Sequence, residues 1–345
     1  MGMINEPSHL DTLLQGFARR PKQLELDVQL AQVMQALQVQ ELDQLPLPGK
    51  GQTLQRWQVL AQVAGCDLAL AKLYEGHTDA LAILAECSAL HRAGTGIWGV
   101  WAAEPRSART RIVGREGSRV YLEGRKAWCS GALQIDHGLL TAWDEEDRQQ
   151  LVAITLSEQP QPFISETWQA VGMAATHSIE IEFSHSPAYA VGGPGHYLSR
   201  PGFWHGGGGI AACWYGAAET LAEYLREHCQ ARRSDPHANA HLGAVDAALC
   251  GASAALRQCA DWIDAQPGVD ASLPVRRLRA QVEQAVTEVI AHVGRALGAS
   301  PFCRDSHFAR LSADLPVFLR QSHAERDLAE LGQLLAQETA GSWRL

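Results

Sequence analysis

Apolar positions in the first ninety residues recur at intervals of three and four. Leu24, Leu26, Val28, Leu30, Val33, Met34 and Leu37 predict helix within residues 8–48. The string Leu45-Pro46-Leu47-Pro48-Gly49-Lys50-Gly51 interrupts it. From Thr53 to Leu90 the chain is rich in Ala and Leu and poor in β-branched residues, which predicts a second helical stretch. The period changes near Gly94. Ile97 to Trp101 reads as a strand, and Arg111-Ile112-Val113, then Gly114 to Gly117, then Arg119 to Leu122 reads as a hairpin. Leu139–Trp143, Leu151–Leu156 and Ile179–Phe183 continue the series of short strands, as in a small barrel or sandwich. After Gly192-Gly193-Pro194-Gly195 the helical period returns. It predicts helices over Ile210–Gln230, His241–Gln266, Val275–Leu297 and His307–Leu335, the first opening at Gly206-Gly207-Gly208-Gly209.

The expected architecture is α+β: N-terminal helices in residues 1–95, a central small β-barrel in 96–193 and a C-terminal four-helix bundle in 194–345. A chain of 345 residues exceeds what one core usually supports, so several packed parts are expected. No apolar run is long enough to span a bilayer, and the N-terminus has no basic stretch followed by an apolar run. A formal charge of −9 argues against a general nucleic-acid binder. The eight cysteines contain no Cys-x-x-Cys pair and sit mostly among Ala, Leu and Val, as expected of a reducing cytoplasm. His237 and His241 have helical spacing for two metal ligands, but no third ligand follows at a recognisable interval, so no metal site is expected.

Three strings, in order, resemble the acyl-CoA dehydrogenase superfamily of flavoproteins: Ala102-Ala103-Glu104-Pro105, Leu122 to Ala132 with Lys126, Trp128 and Ser130, and Trp168-x-x-x-Gly172-Met173-x-x-Thr176-x-Ser178. The resemblance implies bound FAD in a crevice between barrel and bundle. It assigns Ala103, Trp128, Ser130, Arg233 and Gly298 to cofactor binding. It also implies a homodimer or homotetramer in which Arg233 serves a neighbouring subunit. Independently of the family, strict strand alternation would put Lys126, Trp128 and Ser130 on one face. The Trp would then give a flat apolar wall, and the Ser a hydroxyl for a ring edge.

Two departures bear on the chemistry. The family's glycine-rich Glu-Pro-Gly-x-Gly-Ser-Asp loop is here Glu104 to Thr110, where Arg106 and Arg109 are candidates to hold an anionic substrate group. The family's catalytic Glu is missing from its usual positions. The segment Leu319 to Asp327 instead resembles the monooxygenase branch, with His323 as candidate acid or base and Glu325 as its orienting group or substitute. His77, in an expected Glu75-Gly76-His77 turn, is either a substrate neighbour or a polar residue between helices. Three functions follow: FAD-dependent α,β-desaturation of an acyl thioester, flavin-dependent monooxygenation of a small molecule on the same fold, or flavin or acyl binding without turnover.

Overall fold

A computed structural model describes residues 8–19, 26–159, 163–165, 168–231, 235–338 and 343. The chain forms two compact units, one of residues 1–45 and 69–203, the other of 46–68 and 204–345. Helices α1 (His9–Ala18), α2 (Leu26–Val39), α3 (Thr53–Cys66) and α4 (Leu68–Glu86) come first. Strands β1 (Trp98–Trp101), β2 (Thr110–Glu116), β3 (Arg119–Cys129), β4 (His137–Trp143), β5 (Gln149–Thr155), β6 (Phe163–Ser165) and β7 (Ile179–Val191) follow. Helices α5 (His196–Ser199), α6 (Gly202–Ala231), α7 (Pro236–Ala265), α8 (Ser272–Leu297), α9 (Ala299–Arg304), α10 (Ser306–Phe318) and α11 (Glu325–Leu335) complete the chain. The architecture is therefore α+β, with a small barrel set among helices. Among the described residues, no helix is long and apolar enough to cross a membrane.

The barrel closes through five strands, β4-β2-β3-β7-β5 and back to β4; β1 adds in parallel to β4, and β6 pairs with β7. Val120, Leu122, Leu139, Leu140, Val152, Ile154, Ile181 and Phe183 are buried along its strands. Ala80, Ile83 and Leu84 of α4 join Trp98, Leu139, Leu151 and Val191 in one apolar cluster. The hairpin turn is tighter than the sequence suggests. Only Gly117-Ser118 separate β2 from β3, and Gly114 lies within β2 beside a bulge.

The glycine run does not open its helix. All four residues lie inside α6, which starts at Gly202. Gly208 and Gly209 serve close packing. A Cβ on Gly208 would stand 2.5 Å from the Trp57 ring of α3, and one on Gly209 would stand 3.1 Å from Leu60. One turn-pair further on, a Cβ on Gly216 would collide with the Ala61 carbonyl, and one on Gly65 would stand 2.6 Å from Thr220 Oγ1. Inside a helix these N–H groups face intrahelical carbonyls rather than a ligand.

Two expected helices are each divided. The stretch from Thr53 breaks at Asp67, whose backbone is extended (φ −166°, ψ 130°) and whose buried carboxylate accepts from Arg310 Nε at 3.1 Å. The Glu75-Gly76-His77 turn does not occur: these residues lie within α4. The stretch from His307 stops at Phe318, and α11 begins only after a segment pinned by Ser322. Ser322 Oγ donates to Glu283 Oε2 at 2.5 Å, and Ala324 follows with φ 47°.

These contacts set a contrast between two glycines. Gly216→Ala should destabilise the protein by about 1–3 kcal/mol, the usual cost of forced overpacking. Gly243→Ala, in α7 with nothing within 4 Å of an added Cβ, should stabilise it by about 0.5–1 kcal/mol. Chemical denaturation of both variants reads the difference; equal midpoints would contradict the packing described.

Candidate functional site

Lys126 and Trp128 of β3 and Ser130 just beyond its end were expected on one face, and the structure separates them. Between Lys126 and Cys129 its pairing with β7 shifts register. Trp128 takes a left-handed backbone, φ 57°, at this bulge. One extra residue reverses the side-chain alternation. Lys126 is therefore inside, 1 % exposed, while Trp128 is outside, 55 % exposed. The sequence-based alternation fails here because it takes a regular strand for granted.

The inward Lys126 is fully answered. Its Nζ donates to Glu104 Oε1 at 2.6 Å, to the Thr141 carbonyl at 2.9 Å and to Thr141 Oγ1 at 2.7 Å. Thr141 Oγ1 also donates to Glu104 Oε1, and Trp143 Nε1 donates to Glu104 Oε2 at 3.0 Å. Burial pushes the Lys126 ammonium below its usual range, and the Glu104 carboxylate works against that shift. The half-buried Glu104 thus serves Lys126, Thr141 and Trp143 of the barrel.

The Trp128–Gly131 segment is held from several sides. Ser130 N donates to the Trp128 carbonyl at 2.9 Å, Gly131 N to the Thr176 carbonyl at 2.7 Å, and Trp101 Nε1 to the Ser130 carbonyl at 3.0 Å. The Ser130 side chain begins a hydroxyl chain: Ser130 Oγ to Ser178 Oγ is 2.7 Å, Ser178 Oγ to Thr176 Oγ1 is 3.0 Å, and Thr176 Oγ1 donates to the Met173 carbonyl at 2.7 Å. Thr176 and Ser178 are buried and Ser130 is half-buried. The sequence reading passed over this chain, though the period-two spacing Thr176-x-Ser178 hinted at it.

Ala103 is half-buried between Trp101, tied to Ser130, and Glu104, tied to Lys126. Of the loop arginines, Arg106 is exposed. Arg109 donates to Asp147 Oδ1 at 2.9 Å, and its guanidinium lies 4.4 Å from the centre of the Trp143 ring. It already has an anionic partner, which the sequence reading did not foresee. His77 is buried: its Nδ1 accepts from Trp98 N at 3.1 Å, so Nε2 carries the proton that it gives to Asp43 Oδ2 at 2.9 Å. It is a polar residue within the helical packing.

In the second unit, His323 is exposed just before α11. Its backbone N–H donates to Asp327 Oδ2 at 3.0 Å, and its Nδ1 lies 3.3 Å from Asp327 Oδ1. An ionised carboxylate only accepts, so Nδ1 holds the proton and Nε2 is left as the basic nitrogen. The preceding residues are clamped to α8. Arg320 donates to Glu283 Oε1 at 2.8 Å, and Arg279 to the Gln321 carbonyl at 3.2 Å. Glu325, in the first turn of α11, is exposed. Gly298 ends α8 with φ 63°. Arg233 lies outside the described residues. His237 is exposed, and His241 turns to His292 of α8, Nδ1 to Nδ1 2.8 Å. Among the described residues, no group of three metal-binding side chains forms.

No family model matches this chain, and no curated protein matches it. Solved structures do. The chain is similar to the methanesulfinate monooxygenase MsuC of Pseudomonas fluorescens, at 19% identity over 97% of this chain and 98% of that one, with a TM-score of 0.77. It is similar to TdsC of Paenibacillus sp. A11-2 in complex with FMN and indole, at 17% identity over 94% and 95%, with a TM-score of 0.76. It is similar to KijD3 in complex with FMN and dTDP-3-amino-2,3,6-trideoxy-4-keto-3-methyl-D-glucose, at 16% identity over 96% and 93%, with a TM-score of 0.77. At such identities the likeness is one of fold, and it spans nearly the whole chain: the chain has the fold of the acyl-CoA dehydrogenase-like flavoproteins.

Proposed function

We propose that the protein is a flavin-dependent monooxygenase acting on a small organic molecule. The observation that carries this reading is the Trp128–Ser130 segment. A tryptophan held outside a barrel by a left-handed residue, beside a half-buried hydroxyl, is costly to build and offers a planar apolar wall with one polar edge. Those residues fit a flavin ring. When bound, a flavin would supply two-electron chemistry and reaction with oxygen. Trp128 would carry the ring, Ser130 would meet its edge, and Ala103 would flank it. FMN is favoured over the FAD first expected. TdsC and KijD3 are described with FMN, and Gly298 already has a local task in ending α8.

Monooxygenation is favoured over α,β-desaturation because α6 opens without a carboxylate and its glycines serve helix packing. MsuC is described as a monooxygenase, and TdsC as a dibenzothiophene monooxygenase. His323 Nε2 would hold or pass the proton, with Asp327 keeping the tautomer. Desaturation of an acyl thioester is the second reading, favoured only by Glu325 as an available carboxylate; Arg106 would then hold an anionic part of the substrate. The same proposal keeps residues 1–95, 96–193 and 194–345 as helical, barrel and four-helix-bundle parts of a cytoplasmic homodimer or homotetramer. Eight free cysteines are in keeping with that compartment.

Flavin titration tests the cofactor first. The protein should quench and bind FMN, and Trp128→Ala should weaken binding about tenfold or more, as loss of aromatic stacking does. Protein that takes up neither FMN nor FAD would sink both enzyme readings. With flavin bound, bleaching by acyl-CoA under argon would select the dehydrogenase. Oxygen incorporation into a small substrate, driven by reduced FMN, would select the monooxygenase. His323→Ala should lower turnover by about 10²-fold or more with flavin affinity unchanged; an unaltered rate would remove His323 from the chemistry.

A further inference from the structure

We propose that Thr176 and Ser178 are positioning residues that make Ser130 Oγ an obligate hydrogen-bond acceptor toward the ligand. This rests on the flavin reading of Trp128 and Ser130. The argument is a count of protons. Each hydroxyl has one to give. The Met173 carbonyl can only accept, so Thr176 spends its proton there, at 2.7 Å. Thr176 Oγ1 must then accept at its 3.0 Å contact, so Ser178 spends its proton on Thr176. Ser178 Oγ in turn must accept at 2.7 Å, so Ser130 spends its proton inward. What Ser130 retains for a ligand is lone pairs.

A second observation places the chain where structural cost is concentrated. Trp128, Met173 and His177 all have left-handed backbones, with φ 57°, 58° and 42°. These three flank the hydroxyls at both ends. Non-glycine residues hold such conformations only when their surroundings impose them. The chain is also sheltered: Thr176 is 1 % and Ser178 4 % exposed, so water cannot readily reverse the order.

The consequence is a choice between two states of one ligand. Oxidised flavin presents a bare ring nitrogen at position 5, an acceptor. Dihydroflavin carries an N–H there, a donor. An acceptor-only Ser130 matches the second and opposes the first. The ordered chain therefore selects reduced flavin through residues that never touch it.

The experiment compares dissociation constants of oxidised FMN and of dithionite-reduced FMN, measured anaerobically by fluorescence, for the wild type and three variants. The wild type should bind the reduced form at least about fivefold more tightly, the worth of one neutral hydrogen bond. Thr176→Val keeps the branched shape and frees Ser178 to donate back, so that Ser130 can donate outward; the preference should fall toward unity, chiefly through tighter oxidised FMN. Thr176→Ser keeps the hydroxyl and should retain the wild-type ratio, which a merely structural role for Thr176 would not demand. Ser178→Ala should also erase the preference. An unchanged ratio in Thr176→Val, with both forms still bound, overturns the proton order while leaving the flavin reading intact. Failure of both forms to bind the wild type overturns both.

Discussion

A buried ammonium must have its donors answered, and in this barrel the donors of Lys126 are answered by Glu104 and Thr141. That requirement fixes β3. With Lys126 turned inward, a regular strand would turn Trp128 inward as well. The bulge beyond Lys126 breaks this link. It costs a left-handed tryptophan and gives an indole on the outside with a hydroxyl beside it. The segment around Trp128 therefore begins with an ion pair whose lysine is buried. Glu104 is the counter-charge that lets the strand be pinned at that point.

The segment from Glu104 to Thr110 carries no glycine, so its backbone has no special freedom for a close approach. Glu104 reaches inward, Arg109 lies on Trp143 and reaches Asp147, and the Ser107 carbonyl accepts from Arg125 at 3.0 Å. A loop that resembles a binding element is here knitted to the barrel wall by its own side chains.

Much of the fold was legible because periodicity is a long-range average. Leu30, Val33, Met34 and Leu37 are buried as their spacing suggested, and β1, β4 and β5 fall close to their expected bounds, whereas β3 and β7 run well past Leu122 and Phe183. Single residues that break a period were not legible. Asp67 splits a helix because Arg310 draws its carboxylate aside, and nothing near Asp67 in sequence announces that partner. Trp128 leaves its face because of one inserted residue. Arg109 looked available because Asp147 is distant along the chain. Thr176 and Ser178 were visible as letters of a family string, but their value lies in proton order, which only distances reveal. The glycine run was expected to open its helix, whereas α6 already runs from Gly202; the partner that makes Gly208 a packing position, Trp57, comes from far earlier in the chain.

That last pairing bears on how the chain comes into being. Helix α3 is seated on backbone that glycine leaves bare, so its resting place does not exist until α6 has been made. Residues 69–203 are synthesised in between. On the ribosome, Trp57 and Leu60 must wait in solution, or under a chaperone, while the whole barrel emerges and closes. The first unit can therefore close before the second, whose helix α3 is kept in reserve until α6 has emerged.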